Sequence, residues 1–325
     1  MRTLLVVSGG DAPGVNAALY HYTRAAALNG DEVFGAIGAF EGLLQEQLKP
    51  LSPQELDPVV GQGGSYLPSS REPVLKEASN CERLKGVLER HCIDNLVLFG
   101  GDGTLSNLAA ILQSLNIACL GIPATIDNDV PGSELTLGFA SACSMAQQMI
   151  DGLRATARAL PGRAFAVEVL GGHTGFLALD IAYAAGADAV LIPEYAYDLG
   201  RIAKRLQDAA RTYRYGLVIY SEGIGDSQRF TQAMHAHGLH VRSSKLGHAQ
   251  RGAPPVHQDR KLAADMALLA YHTLQQGARQ GTVLVQQGKV RFLRTTVATL
   301  PRRLPERSLY ERVNGLPAAP RENTR

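Results

Sequence analysis

Short runs of apolar and β-branched residues recur along the chain at Leu4–Val7, Val33–Ile37, Asn95–Phe99, Ala118–Ile122, Ala164–Val169, Ala189–Ile192, Gly216–Tyr220 and Thr282–Val285. Longer segments of helical character lie between them: Val15–Leu28 closed by Gly30, Glu82–His91, Leu105–Leu115, Ala140–Arg158, Gly175–Ala185, Leu199–Thr212 and Arg260–Gln276. Strands that lack polar alternation are covered on both faces, which helices on either side of a parallel sheet provide. The alternation therefore predicts an α/β chain with mainly parallel sheets. In such sheets ligands gather beyond the carboxyl ends of strands, so chemistry is expected in the turns that follow them.

With 325 residues and 45% hydrophobic composition, the chain can bury one large core or two moderate ones. Its 32 basic and 30 acidic residues are interspersed, which argues against a nucleic-acid-binding arm and an acidic tail. The first apolar run is too short for a signal peptide, and none approaches the ~20 residues that span a bilayer. Cys81, Cys92, Cys119 and Cys143 stand far apart, which argues against a zinc site and a disulfide scaffold. A cytoplasmic protein with reduced thiols and neither nucleic-acid nor membrane partners is expected. The last ten or so residues, rich in Pro, Arg and polar types, are expected to be loosely held.

Two glycine turns stand out. Leu4–Val7 runs into Ser8-Gly9-Gly10-Asp11-Ala12-Pro13-Gly14, and Asn95–Phe99 into Gly100-Gly101-Asp102-Gly103-Thr104. Adjacent glycines leave backbone N–H groups bare beside a strand end, and a phosphate is a fitting partner for them. One such turn is common; two favour nucleotide binding. Asp102 would repel a phosphate held there unless a cation sits between, which makes it a candidate Mg²⁺ ligand.

After Ile122 comes Pro123-Ala124-Thr125-Ile126-Asp127-Asn128-Asp129. In an extended stretch, Asp127 and Asp129 would point the same way, one to take a hydroxyl proton and one to place a metal or orient its neighbours. Farther on, Lys245-Leu246-Gly247-His248-Ala249-Gln250-Arg251-Gly252 follows Arg242. Arginines and a histidine among glycines suit a phosphate monoester, because a guanidinium fork matches phosphate oxygens. Clustered with Arg163, these residues predict a second phosphate site.

In order and spacing, the two glycine turns, Thr125–Asp129, Glu222-Gly223 and Leu246-Gly247-His248-Ala249-Gln250-Arg251-Gly252 resemble the phosphofructokinase family of bacterial type. The resemblance extends through about residue 300. It implies two domains, each a mainly parallel sheet flanked by helices: 1–138 with about 256–304 for nucleotide, and 139–255 with 305–325 for sugar phosphate. It further implies a glycolytic kinase moving the γ-phosphoryl of ATP to the 1-hydroxyl of fructose 6-phosphate. By matching motif, Gly10, Arg71 and Gly101, Asp102, Gly103 and Thr104 would hold ATP, with Asp102 serving Mg²⁺. Asp127 would be the base, supported by Thr125 and Asp129. Arg163, Arg242, His248 and Arg251 would bind the 6-phosphate, Glu222 the sugar hydroxyls, and Leu170, Gly171 and Gly172 would line the substrate. Arg163 and Arg242 would reach in from a neighbouring subunit, so a homotetramer with shared active sites is implied.

Pyrophosphate-dependent members of the family carry aspartate where this chain has Gly103 and lysine where it has Ala124, so the small residues here favour ATP. Gly172 stands where the family has an arginine near the transferring phosphoryl group, which leaves another ketose phosphate, a pyrophosphate-dependent activity or a weakly active regulatory paralogue as alternatives. At the family's effector site, two positions that are basic in regulated members carry Tyr20 and Pro53, while Arg24 and Arg154 remain.

Overall fold

The computed structural model describes residues 1–70, 77–225 and 227–317. Arg71, and most of the tail expected to be loose, lie outside the described residues. The strands, in chain order, are β1 (Arg2–Val7), β2 (Glu32–Ala36), β3 (Leu48–Pro50), β4 (Asn95–Gly100), β5 (Ala118–Thr125), β6 (Leu137–Gly138), β7 (Arg163–Val169), β8 (Ala189–Leu191), β9 (Tyr215–Ser221), β10 (Val241–Lys245), β11 (Gln280–Gln286) and β12 (Lys289–Leu293). The chain divides into two compact units, residues 1–141 with 251–303, and residues 142–250 with the segment from Leu304 onward.

In the first unit, the described residues form an eight-stranded sheet in the order β12-β11-β5-β4-β1-β2-β3, with β6 paired to β5. The central strands β1, β4 and β5 run parallel, and their interior residues are fully buried, as runs without polar alternation require. One face packs Leu4, Val6, Leu96, Leu98 and Cys119 against Leu84 and Leu88 of the helix Ala78–Arg90 and Leu108 and Ile111 of the helix Leu108–Leu115. Only β3 and β12 pair antiparallel to their neighbours, at the two edges.

The second unit holds a four-stranded parallel sheet in the order β10-β7-β9-β8. Ala164, Ala166, Val218 and Tyr220 point from it onto Ile202 and Leu206 of the helix Leu199–Tyr213. That helix starts where the Asp198 side chain accepts a hydrogen bond from the Arg201 N–H at 3.1 Å.

Three expectations need correction. The helix expected over Leu105–Leu115 is two, Asp102–Ser106 and Leu108–Leu115. At the break, the Asn107 amide donates back to the Gly103 carbonyl at 2.7 Å, an interior-disrupting contact short polar side chains favour. β5 continues past Ile122 to Thr125, so Thr125 closes a strand. Finally, 126–129 is a turn rather than an extended stretch: Asn128 is left-handed at φ 53°, and the Asp127 N–H donates to the Thr125 hydroxyl at 3.2 Å. No helix among the described residues is long and apolar enough to cross a membrane.

Candidate active site

β1, β4 and β5 end side by side, and each of the three motifs begins where one of these strands stops. The Ser8 N–H donates to the Phe99 carbonyl at 2.9 Å, and the Thr104 hydroxyl to the Ser8 carbonyl at 3.3 Å, so the two glycine turns are tied together. Such contact requires glycine at position 100, where a Cβ atom would lie 2.6 Å from the Thr104 side chain. At Gly101 a Cβ would lie 3.5 Å from that of Thr125, which brings the second turn against the Thr125–Asp129 segment. Gly103 faces open space, with nothing within 4 Å of an added Cβ.

The Thr125–Asp129 turn is held from beneath. The Thr136 hydroxyl donates to the Thr125 carbonyl at 2.6 Å, and the Asn128 amide donates to the Glu134 carbonyl at 3.2 Å. Burial, followed by the charges of Asp127 and Asp102, pushes the Asp129 carboxyl up to about 6, and Arg302 partly offsets this. Asp102 itself accepts a hydrogen bond from Ser106 at 2.9 Å and an ion pair from Arg302 at 3.1 Å.

These carboxylates offer hard oxygen donors of the kind Mg²⁺ takes. Among the described residues no three His, Cys, Asp or Glu side chains form a group able to hold a metal by themselves. That donor set fits a magnesium ion that keeps waters and shares phosphate oxygens, since Mg²⁺ usually binds through one or two carboxylates plus a substrate phosphate.

Other predicted residues assemble at the carboxyl end of the second unit's sheet. The Gly172 N–H donates to Glu222 Oε1 at 2.8 Å, and the Leu170 N–H donates to Gln250 Oε1 at 2.9 Å, within the turn that also carries His248. Leu170, Gly171, Gly172, Glu222 and His248 thus share one end of that sheet. Gly172 is left-handed at φ 58°, a conformation that side chains disfavour and that suits glycine at this position.

Arg163 and Arg242 do not join them. Arg163 opens β7, and Arg242 pairs in register with Phe165, so the two sit at the amino end of the sheet. A seven-residue strand separates the two ends, ~20 Å at the usual rise. The cluster expected from the linear sequence is therefore not formed within one chain. Arg251 belongs to the first unit, where its Nη1 donates to the Asp11 carbonyl at 3.4 Å and its buried Nε has no hydrogen-bond partner among the described residues.

Two contributors escaped sequence reading. Asp259, on the helix His257–Gln275, is 1% exposed and accepts hydrogen bonds from the backbone of Gly138 and Ser141. Arg302 reaches Asp102 from 200 residues away in sequence. Neither lies in a glycine turn or a carboxylate pair, and only a run of Asp-Arg after the Arg251 turn could have drawn attention to Asp259.

Residues 2–274 match the family described as Phosphofructokinase. The chain is 38% identical over 293 residues to the ATP-dependent 6-phosphofructokinase of Lactobacillus delbrueckii subsp. bulgaricus, covering 89% of this chain and 91% of that one. It is 33% identical over 291 residues to the enzyme of the same description from Actinobacillus succinogenes, covering 89% and 90%. The solved phosphofructokinase of Saccharomyces cerevisiae superposes with a TM-score of 0.84 at 27% identity, over 90% of this chain but 44% of the yeast chain. A pyrophosphate-dependent phosphofructokinase from Marinobacter aquaeolei shares the fold, with a TM-score of 0.79 at 20% identity over 92% of this chain and 83% of that one.

Proposed function

The chain belongs to the phosphofructokinase family, and from that membership we propose that it is an ATP-dependent 6-phosphofructokinase, moving the γ-phosphoryl of ATP to the 1-hydroxyl of fructose 6-phosphate in glycolysis. The observation that carries this is the meeting of Ser8–Gly14, Gly100–Thr104 and Thr125–Asp129 at the adjoining carboxyl ends of β1, β4 and β5. Backbone N–H groups of the first two segments would take the phosphates of ATP, and the third brings carboxylates to the same end of the sheet.

Asp127 takes the proton of the attacking hydroxyl as its oxygen bonds to phosphorus and the bond to the ADP leaving oxygen breaks. Thr125 holds the Asp127 backbone through its hydroxyl, 3.2 Å from the Asp127 nitrogen. Asp102, with Asp129 close enough for their charges to interact, would hold Mg²⁺. When bound, that ion neutralises charge on the transferring phosphoryl group. Room beside Gly103 supports a nucleotide donor.

Within the second unit we assign the sugar-phosphate ligands to Glu222, His248 and the segment Leu170–Gly172. Arg163 and Arg242, at the far end of their sheet, are assigned to the site of a neighbouring copy, in a cytoplasmic homotetramer of the kind the family resemblance implies. Gly172 favours one second reading, a kinase for another ketose phosphate, because a glycine whose N–H is engaged by Glu222 selects differently from an arginine.

Steady-state kinetics of the purified chain with ATP and pyrophosphate, each against fructose 6-phosphate, sedoheptulose 7-phosphate and tagatose 6-phosphate, test both readings. ATP with fructose 6-phosphate should give the highest kcat/KM, and Asp127→Ser should lower kcat by ~10²–10⁴ without weakening nucleotide binding. A preference for another sugar would move the assignment to the second reading, and near-normal turnover by D127S would remove Asp127 as the base.

A further inference from the structure

Arg302 lies in a segment built to hold it in place. Before it, Val297 is fully buried with Leu105, Val130 and Leu284, and Leu293 and Leu300 pack on the same cluster. Leu105 belongs to the helix that carries Asp102, and Val130 directly follows Asp129. After it, the Arg303 guanidinium donates to the Ser133 carbonyl. The chain at 300–303 is thus fixed at each side of Arg302 to the two segments that supply the carboxylates.

Between those anchors the Arg302 side chain itself is 81% exposed, and its Nη2 stands 3.1 Å from Asp102 Oδ2. With its guanidinium this far in solvent, the ion pair contributes little to folding, so stability does not account for a cation held at this position. Its charge also acts on Asp129, lowering a carboxyl that burial and two neighbouring carboxylates raise. A planar guanidinium with several donors at the mouth of a phosphate-binding turn is what a polyphosphate would meet on arrival.

We propose that Arg302 is a donor-binding residue of this site, covering Asp102 in the free protein and turning onto the phosphates of ATP when ATP and Mg²⁺ bind. The inference rests on the assignment of the first unit to nucleotide. Asp102 then exchanges one positive partner for another, and the freed guanidinium stays beside the turn Gly101–Thr104, against which the phosphates of ATP are proposed to lie. The contact adds a cation on the donor side in a chain that has Gly172 in place of an arginine.

Equilibrium titration of ATP with Mg²⁺ into the wild type, Arg302→Ala and Arg302→Lys, in the absence of sugar phosphate, tests the proposal. R302A should raise the dissociation constant ~10-fold or more, with R302K in between, since charge-assisted phosphate contacts are among the stronger polar contacts. The KM for fructose 6-phosphate should stay within about twofold, because the lost contact is to the donor alone. A change of less than tenfold, or tighter binding by R302A, would overturn the proposal and mark Arg302 as a mere cover for Asp102. If the wild type itself binds no ATP with Mg²⁺, the nucleotide assignment of the first unit fails first.

Discussion

The buried carboxylate of Asp259 accepts hydrogen bonds from the Ser141 N–H at 2.8 Å and the Gly138 N–H at 3.2 Å, 118 and 121 residues away in sequence. Gly138 pairs in register with Thr125, so Asp259 braces the strand that flanks the Thr125–Asp129 turn. The Ser141 hydroxyl donates to the same carboxylate. Burial raises the Asp259 carboxyl above its ordinary range, and these donors work against that rise. Asp259→Ala leaves three donors unpaired in a buried position, and a loss of ~2–4 kcal/mol is expected in urea unfolding. An unchanged midpoint and slope would show that the brace is dispensable.

Asp129 gives a pH dependence whose sign can be worked out. Its folded-state value of about 6, set first by burial and then by Asp127 and Asp102, lies above that of an unfolded aspartate. The folded state therefore binds the proton more tightly, and stability from this group falls as pH rises from ~4 to ~6. Asp129→Asn escapes the penalty. Without metal or nucleotide, D129N should exceed the wild type by ~1–3 kcal/mol at pH 7.5 and lose that advantage at pH 4. Parallel unfolding curves for the two proteins across this range would contradict the assignment of burial and like charge at Asp129.

The central strands were legible because they are buried on both faces, and a run such as Leu96-Val97-Leu98-Phe99 has few other folds to choose from. β3 and β6 span three and two residues, too short for any period to register. β12 was missed although Lys289–Leu293 alternates polar and apolar, and the left-handed Gln287 and Gly288 turn that joins it to β11 lacks an Asn-Gly or Asp-Gly pair. The site divides the same way. Glycine turns and paired carboxylates announce themselves locally, whereas Asp259 and Arg302 matter through partners more than a hundred residues distant. Arg163 and Arg242 were grouped with His248 because they are basic, but in a parallel sheet the starts and the stops of the strands lie at opposite ends.

Donor choice can be tested at Gly103. A Cβ there meets nothing within 4 Å, and its φ is not in the left-handed region, so Gly103→Asp should fold normally. The new carboxylate would stand next to Asp102 where a nucleotide phosphate is proposed to sit, and like charges at such range repel strongly. The expected result is a fall of ~10²-fold or more in kcat/KM for ATP, with melting temperature little changed. Undiminished use of ATP by G103D would separate Gly103 from the donor site.

Regulation is expected to be weak. Pro53 opens the short helix Pro53–Leu56, where its missing N–H costs nothing and Ser52 caps the end, and Tyr20 stacks edge-on with His21 at 5.3 Å. Both residues thus serve local structure at positions where the family resemblance leads one to expect cations for an effector phosphate. Arg154, one of the cations that remain, already donates to the Ala185 carbonyl and lies 3.8 Å from Asp151. Each missing charge-assisted contact removes ~1.5–3 kcal/mol of effector binding. An effector that hardly binds cannot favour one conformation over another, since the shift is limited by its differential affinity. The fructose 6-phosphate saturation curve should therefore keep its midpoint in millimolar phosphoenolpyruvate, and in ADP once competition with ATP is removed by varying ATP. A clear shift of the midpoint by phosphoenolpyruvate that Arg154→Ala abolishes would show that the remaining cations suffice to hold an effector.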